Sequence, residues 1–251
     1  MEPSKTSSVR VAGQALKRTS AIYLSVLKRA WLPLLVLHVV FAIASQFFSY
    51  ALDFVHEQAR EDLSLIALIA ALELFFSLVW TSAWLLVLSI SGAQALKGDT
   101  EKPAFGSLFI LNFNQLVVEQ IRVLGSVIWR APLLLVPAIT RYVRMAFVPF
   151  VVIFDPGYHR GEVDVLKRSH ALSKGRFWLL AGVSLISAVL PWLIENSLQG
   201  ERGPWFWDNP WGVGIGTLLS LFINVATGLY IFAIFAEVSR LQNHGAPDAR
   251  F

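Results

Sequence analysis

An acid, Glu73, lies deep inside an otherwise uncharged run that extends from Leu63 to Ala95. A carboxylate in hydrocarbon costs roughly 3 kcal/mol or more unless it is paired, hydrated or protonated. The cations available to it are Arg130 and Arg144, which interrupt two shorter apolar runs, Val123 to Thr140 and Tyr142 to Phe154. Together these residues would suit an ion or proton relay or a polar substrate site. They would equally make one buried ion pair or hydrogen bond that fixes helix register, and we favour that plainer reading. A Glu73 that faced lipid without a partner would contradict both. His38, Gln46, Asn196 and Asn224 also fall in or near apolar runs. Residues of this kind usually form single interhelical hydrogen bonds, each contributing about 0.6 kcal/mol.

A second group is basic. Lys28 and Arg29 stand directly before Trp31, and Lys167, Arg168, Lys174 and Arg176 stand before Phe177 and Trp178; Lys17 and Arg18 lie further upstream. Cations beside an anionic leaflet contribute about 1 kcal/mol each, so these residues suit lipid headgroups or an acidic partner. Ordinary anchoring of topology explains the same pattern and is the preferred reading. Asp155, His159, Glu162, Asp164 and His170 do not fall at metal-ligand spacing. There is no cysteine, which excludes disulfides, thiolate zinc sites and iron–sulfur clusters. Gly212, Gly214 and Gly216 follow no strand and precede no lysine, so they are not a nucleotide loop. No catalytic, cofactor or metal site is expected.

The elements that carry these residues must be membrane helices. Of the 251 residues, 55% are hydrophobic and 15% charged, against about 25% charged in soluble domains; mean hydropathy is +0.59. Crossing a bilayer takes about 20 apolar residues. Trp31 to Leu52, Leu63 to Ala95, Phe177 to Ser197 and Trp211 to Ala236 meet that length, and the two interrupted runs are the weak pair. The expected fold is an all-α polytopic transmembrane bundle of about six spans, or four if the weak pair is re-entrant. It divides into a basic amphipathic segment at 1–30, the bundle at 31–236 and a tail at 237–251. Basic residues gather before the first span and within 155–176, while Asp53, Glu57, Glu61 and Asp62 follow the first span. The positive-inside rule then places both termini in the cytoplasm. The net charge of +4 is dispersed beside apolar runs, which is not a nucleic-acid footprint.

Two cytoplasmic segments look amphipathic. One carries Val11, Ala15, Ile22, Val26 and Arg29 at helical spacing; the other sets Val163, Leu166 and His170 opposite Asp164, Lys167 and Arg168. Each leads into a span that opens on an aromatic, so a duplicated three-helix unit is an expectation to test.

The stretch VRMAFVPFVVIFDPGYHRGEVDVLKRSHALSKGRFWLL at 143–180 resembles the membrane domain attached to some bacterial glycerophosphodiester phosphodiesterases and its stand-alone relatives. Arg144, Pro149, Asp155, Leu166, Arg168, Ser169, Leu172, Gly175, Phe177 and Trp178 occupy the positions of that signature, and Val165 stands where alanine is commoner. The resemblance implies a bacterial inner-membrane helical bundle. It implies no phosphodiesterase activity, because that belongs to a separate soluble domain. The expected function is a non-enzymatic scaffold or accessory subunit that organises membrane lipids, a membrane-protein partner or further copies of itself. The alternative is a small transporter or channel, whose discriminating feature is convergence of Glu73, Arg130, Arg144 and Asn224 on a hydrated cavity. A lipid-modifying enzyme would need paired acids, or a histidine with a nucleophile, at one depth, and no such cluster is present.

Overall fold

The computed structural model describes residues 5–58, 63–97, 105–129, 135–199 and 209–243, and among these the chain is helical with no strand. The helices are α1 (Lys5–Gln58), α2 (Leu63–Lys97), α3 (Phe105–Ile128), α4 (Leu135–Arg144), α5 (Val148–Phe154), α6 (Pro156–His159), α7 (Val165–Ser173), α8 (Phe177–Gln199) and α9 (Pro210–Asn243). Five segments are long and apolar enough to cross a membrane: Ser8–Val55, Leu63–Leu96, Val136–Phe154, Phe177–Leu198 and Pro210–Leu241.

The basic amphipathic segment and the first apolar run form one helix. α1 has 54 residues, about 80 Å at 1.5 Å per residue, and no break falls at residue 30. Its buried seam is Val11, Ala15, Thr19, Ile22, Val26, Ala30 and Leu34, steps of three and four that keep one face inward. That seam lies along α9, running antiparallel to it. Tyr23 Oη donates to the Phe222 carbonyl at 3.1 Å, and Tyr230 Oη donates to the Ala12 carbonyl at 3.2 Å. Further along, α1 pairs with α2, where Phe76 stacks on Phe41 and meets Phe48 at a tilt. Beyond that point the pair turns Ile43, Phe47, Leu68, Leu72 and Phe75 outward, a larger apolar surface than soluble monomers expose.

Going round the bundle, α1 touches α2, α2 touches α3, α3 touches α4, α4 touches α8, α8 touches α9, and α9 returns to α1. α5 fills the interior of this ring. Its flank carries Phe147, Phe150 and Phe154 against Phe232 and Phe235 of α9, with ring centroids 5.4–6.4 Å apart.

The weak pair differs from its expected boundaries. Val123 to Thr140 is not one helix: its first residues end α3, which begins far upstream at Phe105, and α4 starts at Leu135. Polar residues Asn112, Asn114, Gln115, Glu119 and Arg122 dilute the hydropathy of α3 and hid it. Its buried face is Asn112, Leu116, Glu119 and Val123, whereas Ile110, Leu111 and Val118 point outward, the reverse of a water-soluble helix. Tyr142 to Phe154 is broken as well. Pro149 in the first turn of α5 cannot donate to the Met145 carbonyl, so α4 ends and α5 restarts after it.

Two other expectations shift. The inward face of α7 is Val165, Ser169 and Leu172, not Val163, Leu166 and His170. Asp164 caps the helix by accepting from the Lys167 N–H at 2.9 Å, and this sets its rotation. The tail assigned from 237 begins inside α9, where Glu237 and Val238 are fully buried. The two halves also part in layout. α1 runs unbroken into its apolar stretch, but Gly175 at φ +78° separates α7 from α8, a left-handed turn that favours glycine.

Candidate functional site

At one end of the bundle the start of α1, the end of α9 and the α5–α8 corner meet; Ser8 Oγ donates to the Gly175 carbonyl at 3.1 Å. The corner is fastened by signature residues. Asp155 accepts from the Gly157 N–H at 2.9 Å to cap α6, and its other oxygen receives Arg168 Nε at 3.1 Å. Ser169 Oγ, fully buried, donates to the Arg144 carbonyl at 2.9 Å, one of the groups freed where α4 ends. Arg176 Nη1 donates to the Leu172 and Lys174 carbonyls, closing the C-terminus of α7.

Two acids missed from sequence anchor the rest. Glu237 is fully buried; Arg240 Nη2 donates to its Oε1 at 3.0 Å, and Arg18 Nη2 lies 2.9 Å from Oε2 without hydrogen-bond alignment. Glu119 receives both ends of a contact with Arg122 Nη1, at 2.8 and 2.9 Å, and Tyr158 Oη donates to it at 3.3 Å. Arg122 Nη2 reaches on to Asp164 at 3.0 Å. The Asp164 carboxyl is held below the usual range, chiefly by the Lys167 N–H. Burial, then the Glu119 charge, push the Tyr158 phenol up. The only sequence signal for these anchors was the i,i+3 spacing of Glu119–Arg122 and Glu237–Arg240. Asp155, Glu162 and Asp164 are thus engaged by arginines, and among the described residues no group of three or more His, Asp or Glu is placed to hold a metal.

The expected polar trio does not assemble among the described residues. Glu73 is half-buried on α2 with no hydrogen bond or ion pair there. Neighbouring Phe76 meets Phe48 of α1, so Glu73 lies toward the α1–α2 turn. Arg144 is at the basic end, its Nη1 3.5 Å from His170 Nε2, and Arg130 lies outside the described residues. The basic candidates divide. Arg168 and Arg176 have internal partners. Lys28, Arg29, Lys167 and Lys174 are exposed, and Lys28, Lys167 and Lys174, like Lys17, have no acidic partner among the described residues.

His170 faces Arg144, Arg141 and Lys174, and burial together with those charges lowers its pKa. Because Arg144 is a donor only, the ring accepts at Nε2 and is neutral. The folded pKa is below the unfolded value near 6.5, so between the two the unfolded chain binds more protons. Stability therefore rises with pH across that window, is lost as pH falls below about 6.5, and is flat above it. Thermal unfolding of detergent-solubilised protein between pH 7.5 and 5 is expected to show this loss. His170→Gln should make it shallower; equal slopes would contradict the assignment.

Within the ring is a cavity of about 430 Å3, lined from α1, α2, α3, α8, α9 and the α4–α5 segment, in the range of small-molecule sites. Asn224 lines it, as do His38, Trp84, Gln120 and Ser184, whereas Glu73 and Arg144 do not. His38 tilts against Trp84, with centroids 5.8 Å apart.

Comparison with protein families, with curated proteins and with solved structures finds no match to this chain.

Proposed function

We propose that this is an integral bacterial inner-membrane protein, not an enzyme, that organises anionic lipid at its cytoplasmic face as a scaffold or accessory subunit. One observation carries the reading. Every described acid at the basic end is ion-paired internally, while Lys17, Lys167 and Lys174 are exposed without acidic partners; Lys28 lies about 30 Å along α1 from Ser8, level with the middle of α9. Beside them stands Trp178, 84% exposed. Unneutralised lysines next to an outward indole suit the headgroup layer of an anionic leaflet. The likeness of 143–180 to the phosphodiesterase-associated membrane domain supports the same location. Its signature residues fasten the α5–α8 corner, so what it would share is a corner and not a reaction.

The crossings in this reading are α1, α2, α8 and α9, with α3–α4 as a re-entrant hairpin, rather than six spans. Arg122, six residues before the end of α3, and Arg144, at the end of α4, both reach the segment around α7, Arg122 at Asp164 and Arg144 at His170. The chain therefore leaves and returns at one level. α4 has 10 residues and α5 has 7, each too short for about 30 Å of hydrocarbon. Non-helical backbone at that depth is tolerated when protein surrounds it. Both termini and 155–176 remain on one side. Glu73 then marks the far interface, where a carboxylate is hydrated and needs no partner. Glu73 and Arg144 do not line the cavity, whereas Asn224 does, which favours the scaffold reading over the transporter alternative.

Native mass spectrometry of gently extracted protein tests the proposal. Retained anionic phospholipid is expected in preference to zwitterionic phospholipid. Each of Lys167→Gln and Lys174→Gln should weaken that preference about fivefold, since one lysine contributes about 1 kcal/mol. Equal retention of both lipid types, or no effect of the variants, would leave the basic residues as topology anchors alone. A stoichiometric membrane-protein partner or a second copy would identify what the scaffold organises.

A further inference from the structure

The cavity holds polar groups that the protein itself does not satisfy. Thr81, Gln120, Ser184, Ser187 and Asn224 line it, and none of their side chains has a hydrogen-bond partner among the described residues. Trp80, on the same wall, carries a buried indole N–H without an acceptor. Helical bundles in lipid normally pair such groups across helices; Gln120, Ser184, Ser187 and Asn224 are half-buried and Thr81 is exposed, while the Trp80 N–H is fully buried, where a missing partner is costly. Here they converge from four helices on one cavity. No Asp, Glu, Lys or Arg lines it, so a charged headgroup would enter without a counter-charge, which is unfavourable in a site of low dielectric. The remaining walls are aromatic and aliphatic, Trp84 and Phe150 among them.

We propose that this cavity binds a neutral lipid of the glyceride class. Its hydroxyl and ester oxygens would meet Thr81, Gln120, Ser184, Ser187 and Asn224, and its chains would leave between α4 and α8. Tyr142 of α4 and Ala188 of α8 both line the cavity, and both are exposed. α4 touches its ring neighbours lightly compared with the α1–α2 and α8–α9 pairings. The chemistry fits an acceptor-rich, uncharged head with an apolar body: the amide and indole donate to ester carbonyls, and the serine and threonine hydroxyls donate or accept. A free sugar or other wholly polar metabolite would leave the apolar walls against polar atoms. The site is distinct from the lysines of the basic end, so either reading stands or fails alone.

The test uses dioleoylglycerol in phosphatidylcholine nanodiscs, with the intact chain read by native mass spectrometry. One glyceride per chain is expected, and added phosphatidylglycerol should not displace it. Asn224→Leu should weaken binding about tenfold, which corresponds to about 1.4 kcal/mol, the order of one hydrogen bond. Ser187→Val should act in the same direction and carries the test if Asn224→Leu does not fold. Phe75→Ala, on the outward face of α2 away from the cavity, should leave glyceride binding unchanged. Failure to retain glyceride, detergent or water as the only occupant, displacement by phosphatidylglycerol, or equal retention by both cavity variants would overturn the proposal.

Discussion

Truncating Phe147 to alanine should lower stability by about 3–5 kcal/mol, the usual cost of removing a fully buried aromatic ring. Phe147 is 0% exposed and meets Phe235 of α9 at a centroid distance of 5.8 Å. It sits in the turn between α4 and α5, where no side chain caps the restarted helix. Packing therefore holds this turn, and a cavity there frees both α5 and the aromatic cluster it serves. In a chain of this size 1 kcal/mol corresponds to about 2–4 °C, so Tm in detergent should fall by about 6–20 °C. Phe75→Ala, at a side chain 55% exposed on the outward face of α2, should barely change it. Equal losses at the two positions would contradict the placement of the core around α5.

Replacing Arg18 by methionine should destabilise the protein by about 3 kcal/mol, at the low end for breaking a buried ion pair. Glu237 is wholly inaccessible, and two arginines approach it, one from its own helix and one from α1. Removing Arg18 leaves the carboxylate with Arg240 alone. The effect stays at the low end because the Arg18 side chain is 31% exposed and Arg240 persists. Converting Glu237 to methionine as well should recover much of the loss, since the uncompensated charge goes with it. The double-mutant cycle measured by thermal unfolding thus has a definite sign. Additive losses would show that α1 and α9 are not coupled through this pair.

Composition and run length made the helical architecture legible, and Val11, Ala15, Ile22 and Val26 are buried where their spacing put them. α3 was hidden because its polar residues lower the hydropathy of the run whichever way they face, Asn112 and Glu119 inward and Asn114, Gln115 and Arg122 outward. Glu237 was assigned to a tail because one acid after an apolar run looks like an end; only Arg18, distant in sequence, shows that it is an anchor. Glu73 drew attention as a charge in a long run, but run length does not fix depth, and its register follows from Phe76 meeting Phe48. Asn224 was noted singly. Its grouping with Thr81, Gln120 and Ser184 depends on how α2, α3, α8 and α9 pack, which no local pattern encodes.

The lack of native cysteine makes the central claim directly measurable by single-cysteine labelling with a membrane-impermeant maleimide. Asp53→Cys should label in intact cells, Lys17→Cys and Lys167→Cys only after permeabilisation, and Trp129→Cys not from outside. That pattern places the basic end in the cytoplasm, the α1–α2 turn across the bilayer and the α3–α4 tip short of the far side. Labelling of Lys17→Cys or Lys167→Cys in intact cells, or protection of Asp53→Cys, would contradict it.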